Sequence, residues 1–167
     1  MRIGRSDADH AAMTGAGSGE PRPARPVEAD TLHRIVNQAY SHYIARMGKA
    51  PGPMLDDYSR RIQDGQAWVL ETNGTIAGLV VLEDDGQGAL LLDNIAVAPS
   101  AQGQGVGRRL IAFTESEARR RGCRQVRLYT HVLMVENIAL YTRLGFRETG
   151  RVSEKGFDRV YMAKSLA

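Results

Sequence analysis

The chain has 167 residues, 43% hydrophobic and 25% charged, with 22 Lys plus Arg against 19 Asp plus Glu for a formal charge of +3. That composition excludes disorder for the bulk of the chain and fits one globular domain of roughly 100–200 residues. Cys123 is the only cysteine, which excludes an internal disulfide and a cysteine-cluster metal site and agrees with a reducing compartment.

Residues 1–24 are rich in Gly, Ala, Ser, Pro and Arg with almost no large apolar side chain, so they read as a flexible tail ahead of a domain over 25–167. Met1 to Pro26 lacks the apolar centre of a signal peptide, and no run reaches the ~18 apolar residues of a membrane helix. A cytoplasmic protein without a membrane partner is expected. From Asp30, as cap, Leu32, Ile35, Val36, Ala39, Tyr40 and Tyr43 recur at helical spacing and predict one helix of about four turns. The Pro- and Gly-broken stretch from Met47 to Met54 predicts a loop, and Leu55, Tyr58 and Ile62 a shorter helix after it.

The period then changes to two. Ala67 to Glu71 and Thr75 to Leu82 predict strands joined at Asn73-Gly74, a strong hairpin signal, and Ala89 to Val97 predicts a third strand of the same meander. Between Gln66 and Ile95 there are five acids and no Lys or Arg. A long helix is expected from Gly105 to Arg121, with Val106, Leu110, Phe113 and Ala118 on its apolar stripe and arginines at its negative end. From Gln102 to Arg127 there are seven arginines and two glutamates; such a run is a solvated face or a holder of anionic ligands, and without interleaved aromatics it argues against nucleic acid. A strand through Val126 and Leu128, a short helix to Leu144, a cap at Gly145 and strands from about Phe146 and Arg159 complete the chain.

The informative stretch is Leu92-Asp-Asn-Ile-Ala-Val-Ala-Pro-Ser-Ala-Gln-Gly-Gln-Gly-Val-Gly-Arg-Arg-Leu110. A strand ends, Pro99 stops it, and Gly103, Gly105 and Gly107 stand just before a helix, where backbone amides lack intrahelical partners and glycine leaves them open to a phosphate. The alternating glycines do not make a dinucleotide fingerprint, and no Gly-Lys-Ser or Gly-Lys-Thr follows. The stretch resembles the acetyl-CoA signature of the GNAT superfamily of N-acetyltransferases, with Gln102, Gly105 and Gly107 filling its fixed positions. Leu140-Tyr-Thr-Arg-Leu-Gly-Phe146 resembles that family's Leu-Tyr-x-x-x-Gly-Phe ending of the last conserved helix. The order of elements from about Arg25 onward matches as well.

The resemblance implies an α/β (α+β) fold with a mixed, mostly antiparallel sheet of about six or seven strands flanked by about four helices. It implies acetyl-CoA as cosubstrate and no metal. The pyrophosphate would sit on Gly103, Gln104, Gly105, Val106, Gly107 and Arg108, while backbone groups of Ile95, Ala96 and Val97 would pair with pantetheine and polarise the thioester. The family's usual Asn, seven residues before the tyrosine, is Met134 here, and Asn137 is the residue one turn before Tyr141 that shares its face.

Acetyl transfer to an amine needs a neutral amine, oxyanion stabilisation and a proton for the leaving thiolate. Tyr141, a phenol of ordinary pKa ~10, is the expected acid. Asp93, where some family members carry a glutamate base, is the expected base or cation attractor, and His131 is its rival. Tyr40, Tyr43, Arg46, Met54 and Tyr58, with Phe157 in the facing turn, are the expected acceptor lining. No Cys or Ser lies in a nucleophile motif, so attack within a ternary complex on a small primary amine is the leading reading. A peptide or protein acceptor, and a non-catalytic acyl-CoA sensor or scaffold, are the alternatives. Edge strands near the C-terminus, including Arg159 to Lys164, predict a homodimer.

Overall fold

The computed structural model describes residues 19–166. A seven-stranded sheet runs in the order β1-β2-β3-β4-β5-β7-β6, with β1 Arg22–Pro23, β2 Ala67–Thr72, β3 Thr75–Asp84, β4 Ala89–Val97, β5 Gln125–His131, β6 Arg147–Glu154 and β7 Phe157–Ser165. All neighbours are antiparallel except the central pair, β4 and β5. Among the described residues five α-helices accompany it: α1 Ala29–Tyr40, α2 His42–Met47, α3 Tyr58–Gln63, α4 Val106–Arg120 and α5 Val135–Arg143.

The expected meander is present. Asn73 and Gly74 have φ of 53° and 74°, the paired positive angles of a two-residue hairpin turn, which Asn and Gly adopt at least cost. Most of the predicted tail lies outside the described residues. Its last part joins the sheet: Arg22 and Pro23 pair with Val69 and Trp68, and Ala24 is buried.

The helical stretch after Asp30 departs from expectation at two points. Glu28 occupies the cap position and Asp30 falls inside the first turn, where its charge still favours the helix dipole. The helix also divides at Ser41, so Tyr43 and Arg46 belong to α2. The following loop contains a 3₁₀ turn over Gly52–Leu55. Leu55 is 73% exposed, outside the core that its spacing suggested.

One apolar core joins the layers. Leu32, Ile35, Val36 and Tyr40 form the inner stripe of α1, and Val106, Leu110, Ile111 and Ala118 that of α4, each large fully buried side chain contributing roughly 1.5–3 kcal/mol. Helix α4 packs on β3, β4 and β5. It comes so close that a Cβ at Gly78 would stand 2.9 Å from the Ala96 carbonyl and 3.0 Å from side-chain carbons of Leu110 and Val106, which explains a glycine inside an otherwise apolar strand. Three of the seven arginines of the basic run are held in ion pairs: Arg120 and Arg121 with Glu117, and Arg127 with Asp85.

Strand β7 is not an edge. It pairs with β5 from Arg159 to Ser165 and with β6 from Phe157 to Ala163, so the free edge near the C-terminus is β6. The alternation of Val160 and Met162 with Arg159 and Tyr161 reflects burial of one face, which is common to interior and edge strands.

Candidate active site

The site begins where the sheet comes apart. Strands β4 and β5 pair only from Ala89 to Leu92 against Gln125 to Leu128. Beyond that, β4 follows β3 to Val97 and β5 follows β7 to His131, so a wedge opens between them. Opposite β3 the register jumps from Leu92 to Asn94, making Asp93 the extra residue of a β-bulge at the vertex of the wedge. The Ala98 N–H donates to the Ala77 carbonyl at 2.8 Å; strand alternation then turns the backbone polar groups of Asn94 and Ala96 toward β3 and those of Ile95 and Val97 toward the wedge.

A cavity of about 240 Å³ occupies this opening, walled by Leu92 to Ile95, Tyr129 to His131, Tyr40, Asn137, Tyr141, Phe157 and Arg159, and by Pro51 to Pro53. The Tyr129 hydroxyl donates to Asp93 Oδ1 at 2.9 Å, and Arg61 Nη2 donates to Asp93 Oδ2 at 3.1 Å. Burial raises the Asp93 pKa above the ordinary aspartate value while Tyr129 and Arg61 pull it back. Arg61 also meets Asp56, Glu83 and the Gln66 side chain, so three carboxylates share one guanidinium.

Tyr141 lies edge-on to Phe146 with ring centres 5.8 Å apart. Burial holds its phenol well above the ordinary tyrosine range, so it remains a proton donor at any working pH. Met134 is buried, and its sulfur lies 3.7 Å from Asn137 Nδ2. His131 also borders the cavity; its Nδ1 accepts from the Leu133 N–H at 3.1 Å, and burial lowers its pKa. Beside the cavity, Lys49 donates to the Gly156 carbonyl while its Nζ stands 4.1 Å from the centre of the Phe157 ring.

At the far end of β4, Gly103 and Gly105 both adopt φ of 78°, a left-handed conformation that suits glycine. A Cβ on either would meet nothing within 4 Å. Among the described residues the amides of Gly103, Gln104, Gly105, Val106, Gly107 and Arg108 have no backbone acceptor; the first such bond is from Arg109 to Gly105, at 3.1 Å. Val106 is buried and anchors the turn, while Gln102 and Arg108 are exposed. A row of open amides at the positive end of a 15-residue helix fits a pyrophosphate. Among the described residues no cluster of His, Cys, Asp and Glu could hold a metal ion, and no helix is long and apolar enough to cross a membrane.

The expected acceptor residues divide. Tyr40 and Phe157 border the cavity. Tyr43 is buried against Tyr40 and His42, Arg46 pairs with Glu136, the Met54 backbone carbonyl accepts from His33 Nε2, and the Tyr58 hydroxyl donates to the Pro53 carbonyl and accepts from Asn94 Nδ2. These four do not line the cavity, contrary to expectation; Tyr43 and Tyr58 are spent in packing and Arg46 is exposed. Tyr129 and Arg159 escaped the sequence reading; their alternation along β5 and β7 was visible, but only the register sets them side by side.

The family model for the acetyltransferase (GNAT) family matches residues 30–146. The chain belongs to the GNAT family. An IAA acetyltransferase from Azospirillum brasilense is 34% identical over 116 residues, 68% of this chain and 76% of that protein. A probable N-acetyltransferase family 8 member 5 from Mus musculus is 29% identical over 74% of this chain, which spans 56% of the mouse protein's length. The structure of PaiA N-acetyltransferase from Thermoplasma acidophilum, in complex with coenzyme A, shares the fold with a TM-score of 0.70 over 87% of this chain and 98% of that one at 18% identity. The GNAT match ends at Phe146, so it includes the wedge vertex, the glycine turn and Tyr141, while β6 and β7 lie beyond it.

Proposed function

We propose that this GNAT protein transfers an acetyl group from acetyl-CoA to the primary amine of a small molecule, both substrates being bound together. The open amides of Gly103 to Arg108 hold the pyrophosphate, and the wedge-facing groups of Ile95 and Val97 pair with pantetheine, with Asn137 beside it. Acetyl-CoA supplies an activated acyl group. The chain's own residues do the rest: Asp93 takes the proton of the incoming amine, directly or through water, the β4 amides stabilise negative charge on the acyl oxygen, and the Tyr141 hydroxyl protonates the departing sulfur.

The observation that supports the small-molecule reading is the cavity itself: its volume of about 240 Å³, beside the Lys49 contact between the loop after α2 and the turn before β7, is on the scale of a small ligand. Release of free thiol from acetyl-CoA with a panel of amines, read with mass spectrometry of the products, tests it: acetylated small amines are expected, and acetylation of peptides alone overturns the small-molecule assignment. The same reading includes a homodimer, with β6 as the unpaired edge for a second copy; light scattering at micromolar concentration is expected to give twice the chain mass.

A further inference from the structure

Acetyl transfer to a simple amine leaves one cavity residue without work. Arg159 lies on β7 opposite His131 and borders the cavity; its side chain is 16% exposed. The guanidinium carbon stands 4.4 Å from the centre of the Tyr129 ring and 5.7 Å from that of Phe157, so two aromatic rings fix its position. A cation here does nothing to draw in a positively charged amine and repels it.

The donors of Arg159 are not used up. A guanidinium carries five N–H groups; Nη1 donates to Glu154 at 2.9 Å, and Glu154 is shared with the Tyr161 hydroxyl. Lys49, over the other neighbour Phe157, adds a second cation at the same end. The opposite end is anionic, because Asp56, Glu83 and Asp93 surround the single cation Arg61. Tyr129 spans the two ends: its hydroxyl touches Asp93 and its face carries Arg159. A negative and a positive group thus face one small cavity, separated by about the length of a phenol side chain, which matches the spacing of two oppositely charged groups on one small molecule.

We infer that Arg159 binds a carboxylate of the acceptor, so that the acceptor is an amino acid or a close amino-carboxylate with its amine against Asp93. A planar, forked donor set suits a carboxylate better than a point anion. The inference rests on the acetyl-transfer reading for its chemistry: the amine nitrogen forms the new bond to the acetyl carbon, the carbon–sulfur bond breaks, the amine proton goes to Asp93 and the sulfur receives the proton of Tyr141. Arg159 takes no part in those steps and sets only which amines are held.

The test pairs each amino acid of a panel with its decarboxylated amine and its amide. The acid is expected to exceed both by at least tenfold in kcat/KM, and Arg159→Met to reduce that ratio by at least tenfold, with Arg159→Lys retaining part of it. Calorimetric titration of the preferred amino acid into the protein with CoA gives a readout independent of turnover, and the Met variant is expected to bind it at least tenfold more weakly. Acids and amines turned over alike, or a ratio unchanged in Arg159→Met, overturns the carboxylate subsite while acetyl transfer stands. Arg159-dependent binding of amino acids without acetylation of any amine supports the subsite and overturns the acetyl-transfer reading.

Discussion

Substitution of Gly105 by valine tests the phosphate cradle without touching the core. Gly105 has φ of 78°, and a Cβ there meets nothing within 4 Å, so the cost to the fold is the left-handed strain of an L-residue, about 1–2 kcal/mol, or a fall in Tm of roughly 2–8 °C. The cost to the ligand is larger. The side chain projects into the space over six unpaired amides, and loss of two hydrogen bonds to a charged oxygen, at roughly 1.5–3 kcal/mol each, weakens acetyl-CoA binding by about 10²- to 10⁴-fold. Gly122→Val is the control, since Gly122, just after the other end of α4, has φ of 76° and equal open space. Calorimetry with acetyl-CoA and thermal unfolding on both variants separate strain from binding. Unchanged affinity in folded Gly105→Val, or an equal loss in Gly122→Val, refutes the cradle.

Tyr141→Phe keeps the ring against Phe146 and removes only the hydroxyl; acetyl-CoA affinity is expected to persist while turnover falls by about 10²- to 10⁴-fold, as measured by thiol release. Asp93 must be charged to accept a proton, and burial raises its pKa, so the rate rises with pH through that raised value and levels off above it. Asp93→Asn is expected to lose this limb along with most turnover. Arg61→Met, which removes the cation that opposes the rise, is expected to move the limb to higher pH; a limb that stays in place shifts the role of base to His131.

What the sequence made legible was local. The Asn73-Gly74 turn, the end of β4 before Pro99, the alternating glycines and the stripe of α4 each depend on residues a few positions apart, and each stands where the pattern places it. The division of the first helix at Ser41 was hidden because its apolar spacing continues across the break. The site was half legible. Asp93, Tyr141 and the glycine turn could be named from motifs, but the aromatic-rich segment gave no way to separate Tyr40, which reaches the cavity, from Tyr58, which hydrogen-bonds behind it. Tyr129 and Arg159 are 30 positions apart and meet through the β5–β7 register, a long-range pairing that periodicity alone does not specify. The wedge itself depends on where β4 and β5 stop pairing, which no local pattern specifies.

A crystal structure of the protein with CoA decides whether the wedge is the reaction centre. The pyrophosphate is expected on the amides of Gly103 to Arg108, pantetheine in the wedge against Ile95 and Val97, and the thiol within about 3–3.5 Å of the Tyr141 hydroxyl, on the same side as Asp93. A thiol outside the wedge, remote from Tyr141 and Asp93, contradicts that placement.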